Sequence, residues 1–222
     1  MLSRSEYKSS ARSKLSGNFG VVIGMLLIVG VINIVFSTIN ESLEPGLVSS
    51  LIGIISAIIS ILFAYSFMYT YIKVVNGQAL DFSDCISAGF KENPTRTILL
   101  GFIEGIFIIL WTLLLIIPGF IKYYAYSMTF FLINHEAQLS PVDAITKSRS
   151  LMDGYKMELF ILDLSFIGWY ILSVFTLGLL LLYVVPYHQT TRVEYFMEIY
   201  GKHQNLVNPN TPKTEEDPLD TI

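Results

Sequence analysis

Charge is what this chain has least of. Asp, Glu, Lys and Arg make up 14% of its 222 residues, where a soluble domain carries roughly a quarter. The shortage is concentrated: segments 19–75, 97–134 and 157–191 cover 130 positions and hold only seven charged residues. Such a chain cannot wet its surface as a soluble enzyme does, carries no basic stripe for nucleic acid, and is too apolar for a disordered polymer. Cysteine is nearly missing as well. Cys85 alone permits no internal disulfide and no paired-thiolate metal site, which removes the disulfide-stapled secreted domains. Histidine occurs three times, at His135, His188 and His203. His135-Glu136 has no second His at metalloprotease spacing, and no Gly-rich phosphate loop is present. No catalytic constellation, metal site or cofactor is therefore expected, and no enzyme activity. A net charge of −4 points to no nucleic-acid partner.

Hydrocarbon is abundant: 53% of the residues are hydrophobic. Phe19 to Ile39 is an apolar run of 21 residues, enough for the roughly 20 that cross a bilayer. It exceeds the apolar core of a signal peptide and has no small-residue cleavage pattern before Asn40, so a retained first span is expected. Leu47 to Val75 follows a short turn containing Pro45-Gly46, closing a tight hairpin. Thr97 to Ile117 is a third run, interrupted by Pro118-Gly119 before apolar sequence resumes from Phe120 to Ile133. Met157 to Val185 divides at Phe175-Thr176-Leu177-Gly178 into two short pieces. Two arrangements fit: six spans, or four spans with one or both later pairs re-entrant.

Lysine and arginine distinguish the two sides, because short cytoplasmic connections are enriched in them. With the N-terminus inside, 13 of the 14 fall in the N-terminal tail, the connections at 73–96 and 147–156, or the C-terminal tail. Lys122 alone sits near the expected outer end, where its long stem can snorkel to the interface. Ser140-Pro141-Val142-Asp143 is a helix start, and Ala144, Ser148, Leu151, Met152 and Tyr155 then recur on one face, predicting an amphipathic helix on the inner membrane surface. Phe82 to Phe90 and the Tyr7, Ala11, Leu15 series are weaker versions. Each leads through a polar or Gly-containing step (Ser16-Gly17-Asn18, Lys91-Glu92-Asn93-Pro94, Met152-Asp153-Gly154) into an apolar run.

The expected fold is thus all-α: a polytopic membrane helix bundle of about six transmembrane or re-entrant helices. They form three hairpins, each preceded by an interfacial amphipathic helix, in a threefold internal repeat. Residues 1–200 form one membrane domain, and 201–222, rich in Asn, Pro and acids, a disordered acidic tail. Termini on the cytoplasmic side of a cell membrane follow from the charge distribution.

Small residues mark helix contacts in lipid, where close packing replaces the hydrophobic force. Gly20, Gly24, Gly53, Gly101, Gly105 and Gly168 are the expected packing positions. Intramembrane charges are costly and are candidates for function. Glu104 and Asp163 lie eight and seven residues past Arg96 and Lys156, hence roughly 10–12 Å along their helices. Folding each hairpin about its turn brings Asn134 and His135 beside Glu104, and His188 and Arg192 beside Asp163. This gives either a polar site open to the cytoplasm or two satisfied carboxylates that fix helix register. Lys147, Arg149 and Lys156 are the expected contacts to anionic lipid.

The stretches Ile117-Pro118-Gly119-Phe120-Ile121-Lys122-Tyr123-Tyr124-Ala125-Tyr126-Ser127-Met128, Ala144-Ile145-Thr146-Lys147-Ser148-Arg149-Ser150-Leu151-Met152-Asp153-Gly154-Tyr155-Lys156 and Leu162-Asp163-Leu164-Ser165-Phe166-Ile167-Gly168-Trp169, ending at Val185-Pro186-Tyr187, are highly specific. With Ala11 to Phe19 they resemble a bacterial family of integral membrane proteins, domain-of-unknown-function family 975, over most of residues 8–200. The resemblance implies a multi-span protein of the cytoplasmic membrane with no established activity. The organisation is also similar to the membrane domain of some glycerophosphodiester phosphodiesterases, without their catalytic domain. Two functions are expected from these observations. One is a non-enzymatic accessory, assembly or regulatory module that engages membrane lipids, another membrane protein or a second copy of itself. The other is a small transporter or exporter of a lipid-like or peptide solute, working through Glu104 and Asp163. A membrane-embedded lipid hydrolase has no motif to support it.

Overall fold

The computed structural model describes residues 2–114 and 116–207. Among these residues the chain is helical throughout, with no strand. Helix α1 (Arg4–Leu15) is closed by a capping box in which Ser3 and Glu6 satisfy each other's backbone N–H groups. Helices α2 (Phe19–Glu41) and α3 (Leu47–Val75) form the first hairpin. Helix α4 (Phe82–Lys91), capped by Asp81, leads to α5 (Pro94–Leu114), which folds back into α6 (Ile116–Tyr126). Helix α7 (Thr129–His135) precedes α8 (Pro141–Leu151), whose start is capped by Ser140 with Pro141 at the first position. Two short helices, α9 (Lys156–Leu164) and α10 (Ile167–Phe175), then turn through 176–180 into α11 (Leu181–Val207). Four stretches are long and apolar enough to cross a membrane: Phe19–Glu41, Leu47–Val75, Pro94–Leu113 and Lys156–Phe175.

The three short steps into the apolar helices share one construction. Gly17, Asn93 and Gly154 each adopt a left-handed backbone, at φ 93°, 53° and 81°. Glycine enters that region without a Cβ penalty, and asparagine is among the residues that tolerate it. The same joint therefore redirects the chain between α1 and α2, α4 and α5, and α8 and α9.

The packed core lies at one end of the molecule. Its main cluster joins Tyr7 and Leu15 of α1, Tyr71 to Val75 of α3, Met128 and Phe131 around α7, Leu151 of α8, Leu159 and Leu162 of α9, and Val193 to Ile199 of α11. A smaller cluster brings Leu100 of α5, Ala125 and Tyr126 of α6, and Ala144 and Ile145 of α8 against Tyr65 and Ala88. Beyond this end the helices carry exposed apolar side chains: Val31 and Ile34 on α2, Leu47 and Ile54 on α3, Ile109 and Leu113 on α5, Val174 and Phe175 on α10.

Three expectations need correction. The apolar faces of α1, α4 and α8 are spent on protein. Tyr7, Ala11 and Leu15 are buried where α1 meets α11, Cys85, Ala88 and Gly89 where α4 meets α3, and Ala144, Ile145 and Ser148 where α8 meets α5, α6 and α7. One-face periodicity looks the same whether the face is covered by lipid or by neighbouring helices. Second, the stretch 120–133 is not one helix, since the chain breaks at Ser127-Met128 between α6 and α7. Third, residues 201–207, expected to open a tail, continue α11 to Val207, helped by the Lys202–Glu198 pair one turn apart. Residues 208–222 lie outside the described residues.

Of the six expected packing glycines, two mediate contacts. A Cβ on Gly24 would meet the Phe82 ring at 3.0 Å, and one on Gly101 would press on Ile61 at 2.7 Å. At Gly20, Gly53, Gly105 and Gly168 a Cβ would meet nothing within 4 Å. Gly53 lines an open crevice between α2 and α3, and all four have room for a Cβ. The closest approach occurs at Gly89, which the small-residue spacing did not single out. A Cβ there would collide with the Leu62 carbonyl, and the Gly89 N–H donates to Ser66 Oγ at 2.9 Å.

Candidate functional site

Asp163 sits near the end of α9, where its carboxylate is the hub of a network drawn from four helices. His188 Nε2 lies 2.8 Å from Oδ1, and Arg192 Nε lies 3.6 Å from the same oxygen as an ion pair. Tyr124 of α6 donates its hydroxyl to Oδ2 at 3.1 Å. On the far side of the imidazole, His188 Nδ1 lies 2.8 Å from the Tyr170 hydroxyl of α10. With Nε2–H donated to the carboxylate, Nδ1 accepts from the tyrosine, and both ring nitrogens are used. His188 and Arg192 share a face because they are one turn apart on α11. The imidazole is clamped by the Phe166 ring at 4.4 Å, and the Lys8 ammonium covers the same ring at 4.2 Å.

Chemically this is a tyrosine–histidine–aspartate chain beside a guanidinium. It can hold a negative charge at the boundary of the apolar zone and lock α6, α9, α10 and α11 in register. His188 and Arg192 are the partners that folding about 175–178 predicts. Tyr124 was visible in the sequence only as part of the family-like stretch 117–128 and Tyr170 not at all, because a tyrosine hydroxyl leaves no spacing signal.

Glu104 has a different setting. Its Oε2 is shielded from solvent and has no hydrogen-bond partner. Asn134, expected beside it, donates instead to the Phe130 carbonyl at 2.8 Å, and His135 stacks on Phe131 and meets the Tyr200 ring edge-on. The break at Ser127-Met128 seats α7 against α3 and α8, so the α5–α6 hairpin does not deliver the expected partners. No described hydrogen bond or ion pair joins Glu104 to Asp163, His188 or Arg192, and the five expected polar residues do not form one site.

The three expected lipid contacts also separate. Lys147 is ion-paired with Glu136, whose Oε1 also accepts from the Tyr200 hydroxyl at 3.0 Å. Arg149 and Lys156 instead line a crevice of about 480 Å³ together with Lys122, Thr146, Ser150 and Asp153. Lys122, expected at the opposite end, thus groups with the 147–156 connection, and its ammonium also lies 4.4 Å from the Trp111 ring.

A second polar seam, absent from the sequence reading, straps α1 to α11. Tyr7 donates its hydroxyl to Glu198 Oε2, as does the Leu2 N–H at 3.1 Å, while Ser10 and Lys14 both reach Glu194 Oε1 at 2.8 Å. Burial alone would raise the Glu198 carboxyl, but hydrogen bonds from Lys202, Tyr7 and Leu2 outweigh it and hold the group at about 2. The i, i+4 spacing of Glu194 and Glu198 was visible in the sequence; that α1 would be their partner was not.

Among the described residues no cluster of three His, Cys, Asp or Glu side chains is placed to hold a metal ion. No curated protein and no solved structure matches the chain. The family described as "Protein of unknown function (DUF975)" matches it twice, over residues 1–123 and 102–203. With nearly all of the described helices inside those two matches, the chain belongs to the DUF975 family.

Proposed function

We propose that this protein is a non-enzymatic integral membrane module that engages lipid or another membrane protein, as an accessory, assembly or regulatory factor of the bacterial cytoplasmic membrane. The observation that carries the reading is the division of the molecule into a packed end and a set of apolar helices left uncovered. Leu47 is 77% exposed, Leu113 84% and Phe175 81%, which suits helices whose partners are acyl chains or other spans. The Asp163 network supports the same reading, since both oxygens of that carboxylate and both ring nitrogens of His188 have partners within the fold. Docking of α1 on the last described helix, α11, is in keeping with termini on one side, the cytoplasmic one. The shared left-handed joint before α2, α5 and α9 supports a threefold repeat of surface helix plus hairpin.

Extraction of the tagged protein in mild detergent, followed by mass spectrometry of co-purifying lipids and proteins against an unrelated multi-span control, tests this reading. A specific lipid or protein in near-stoichiometric amount is expected. Recovery of the protein with bulk lipid only would count against it.

The unpartnered Oε2 of Glu104 favours a second reading, a small transporter. A buried carboxylate oxygen without a hydrogen bond is costly to keep, and a passing cation or protonated solute would supply the missing partner. Proteoliposome flux that is abolished by Glu104→Gln would establish it, and flux unchanged by that substitution would remove Glu104 from the mechanism.

A further inference from the structure

We propose that the crevice between α6, α8 and the start of α9 binds the phosphate headgroup of an anionic membrane lipid, with Lys122, Arg149 and Lys156 as its cationic walls. The inference rests on the membrane-module reading and names the lipid class for it.

Three cations line one crevice while a single acid answers them: Asp153 pairs with Lys156 at 3.0 Å, leaving a surplus of two positive charges. No described hydrogen bond or ion pair occupies Arg149, whose planar fork suits a phosphate. Ser150 and Thr146 add hydroxyls at the wall, and Lys156 opens α9, whose start has no side-chain cap, so the positive end of that helix lies on the same side. The crevice volume, about 480 Å³, is ample for a glycerophosphate head.

The source of the phosphate follows from what borders the cations. Ile121 lines the crevice and is 50% exposed, and Ile117, one turn earlier on the same face of α6, is 74% exposed. Met157, beside Lys156, is 65% exposed. A free phosphate ion has no use for that apolar flank, whereas an acyl chain lies along it. Lys122 is the telling residue. A lysine inside an apolar helix is expensive; the Trp111 ring offsets part of that cost, but the two further cations lining the crevice add to it unless an anion completes the group.

The test uses the purified full chain in neutral detergent, titrated with short-chain phosphatidylglycerol, phosphatidylcholine and inorganic phosphate, and read by native mass spectrometry. Phosphatidylglycerol is expected to be retained over phosphatidylcholine. At about 1 kcal/mol per cation, Lys122→Gln, Arg149→Gln and Lys156→Gln should each weaken retention about fivefold and the triple variant about a hundredfold. Lys147→Gln, already committed to Glu136, should leave it unchanged. If the triple variant fails to elute as a single species, the single variants decide, with Lys122→Arg and Lys156→Arg expected to retain binding. Equal retention of the two lipids, unchanged binding in the single variants, or displacement of phosphatidylglycerol by equimolar inorganic phosphate would each overturn the proposal. Were a protein partner still to co-purify in near-stoichiometric amount, only the headgroup assignment would fall and the module reading would stand.

Discussion

At Asp163 an imidazole, a guanidinium and a phenol converge on one carboxylate, so removing that charge strands Arg192 in a site only 11% exposed. We predict that Asp163→Asn costs about 3–5 kcal/mol, seen as a large fall in the thermal midpoint of the detergent-solubilised protein. Tyr170→Phe, which deletes one neutral hydrogen bond, should cost about 1 kcal/mol; equal effects would show that the network is not centred on the carboxylate. Glu198 makes a pH prediction. Its folded value of about 2 lies below the ordinary 4.5, so its contribution is complete above pH 4.5 and disappears as pH falls toward 2. Glu198→Gln should therefore lower stability at neutral pH and flatten the acid limb of the melting profile; a parallel profile would contradict the strap. The Asp163 partners were legible because Phe175-Thr176-Leu177-Gly178 marks its turn and His188 and Arg192 share a helix face. Glu104 was misread because Ser127-Met128 breaks a helix without proline or glycine, and no local signal reports that break.

Helices α3 and α4 meet at a point where no side chain fits. Gly89→Val should separate them and destabilise the protein by several kcal/mol, on the order of a severe overpacking substitution. Gly53→Ala, in an open crevice with room for a Cβ, should instead be neutral or stabilising by up to about 1 kcal/mol through helix propensity. A comparison of the two by thermal unfolding in detergent checks the assignment, and equal losses would mean that Gly53 faces a partner after all. The existence of nearly every helix was readable from apolar runs and from caps such as Ser140-Pro141. What covers each face was not, because Ala144 and Ser148 follow the same spacing whether they meet lipid or α6. Gly89 escaped notice for a related reason: one glycine in a ten-residue polar helix has no small neighbour at the spacing that marks a packing row.

For the molecule as a whole, whether the hairpin at 157–191 crosses fully is decided by where its turn at 176–180 lies, with the first hairpin's turn as the reference. With Cys85 replaced by Ala, single cysteines at Glu44 and Thr176 should react with a membrane-impermeant maleimide from outside intact cells, and one at Glu92 only after permeabilisation. Labelling at Glu44 without labelling at Thr176 would make the hairpin at 157–191 re-entrant. The α1–α11 strap adds a consequence in time. The Tyr7–Glu198 contact spans 191 residues, which at 5–20 residues per second take roughly ten to forty seconds to synthesise. The first helix made must wait for the last to complete its seat, and during that interval its Tyr7, Ala11 and Leu15 face can be covered only in part, by α3. The part of that face that α11 covers in the finished fold is thus open to the membrane surface only in the nascent chain, until the final helix emerges.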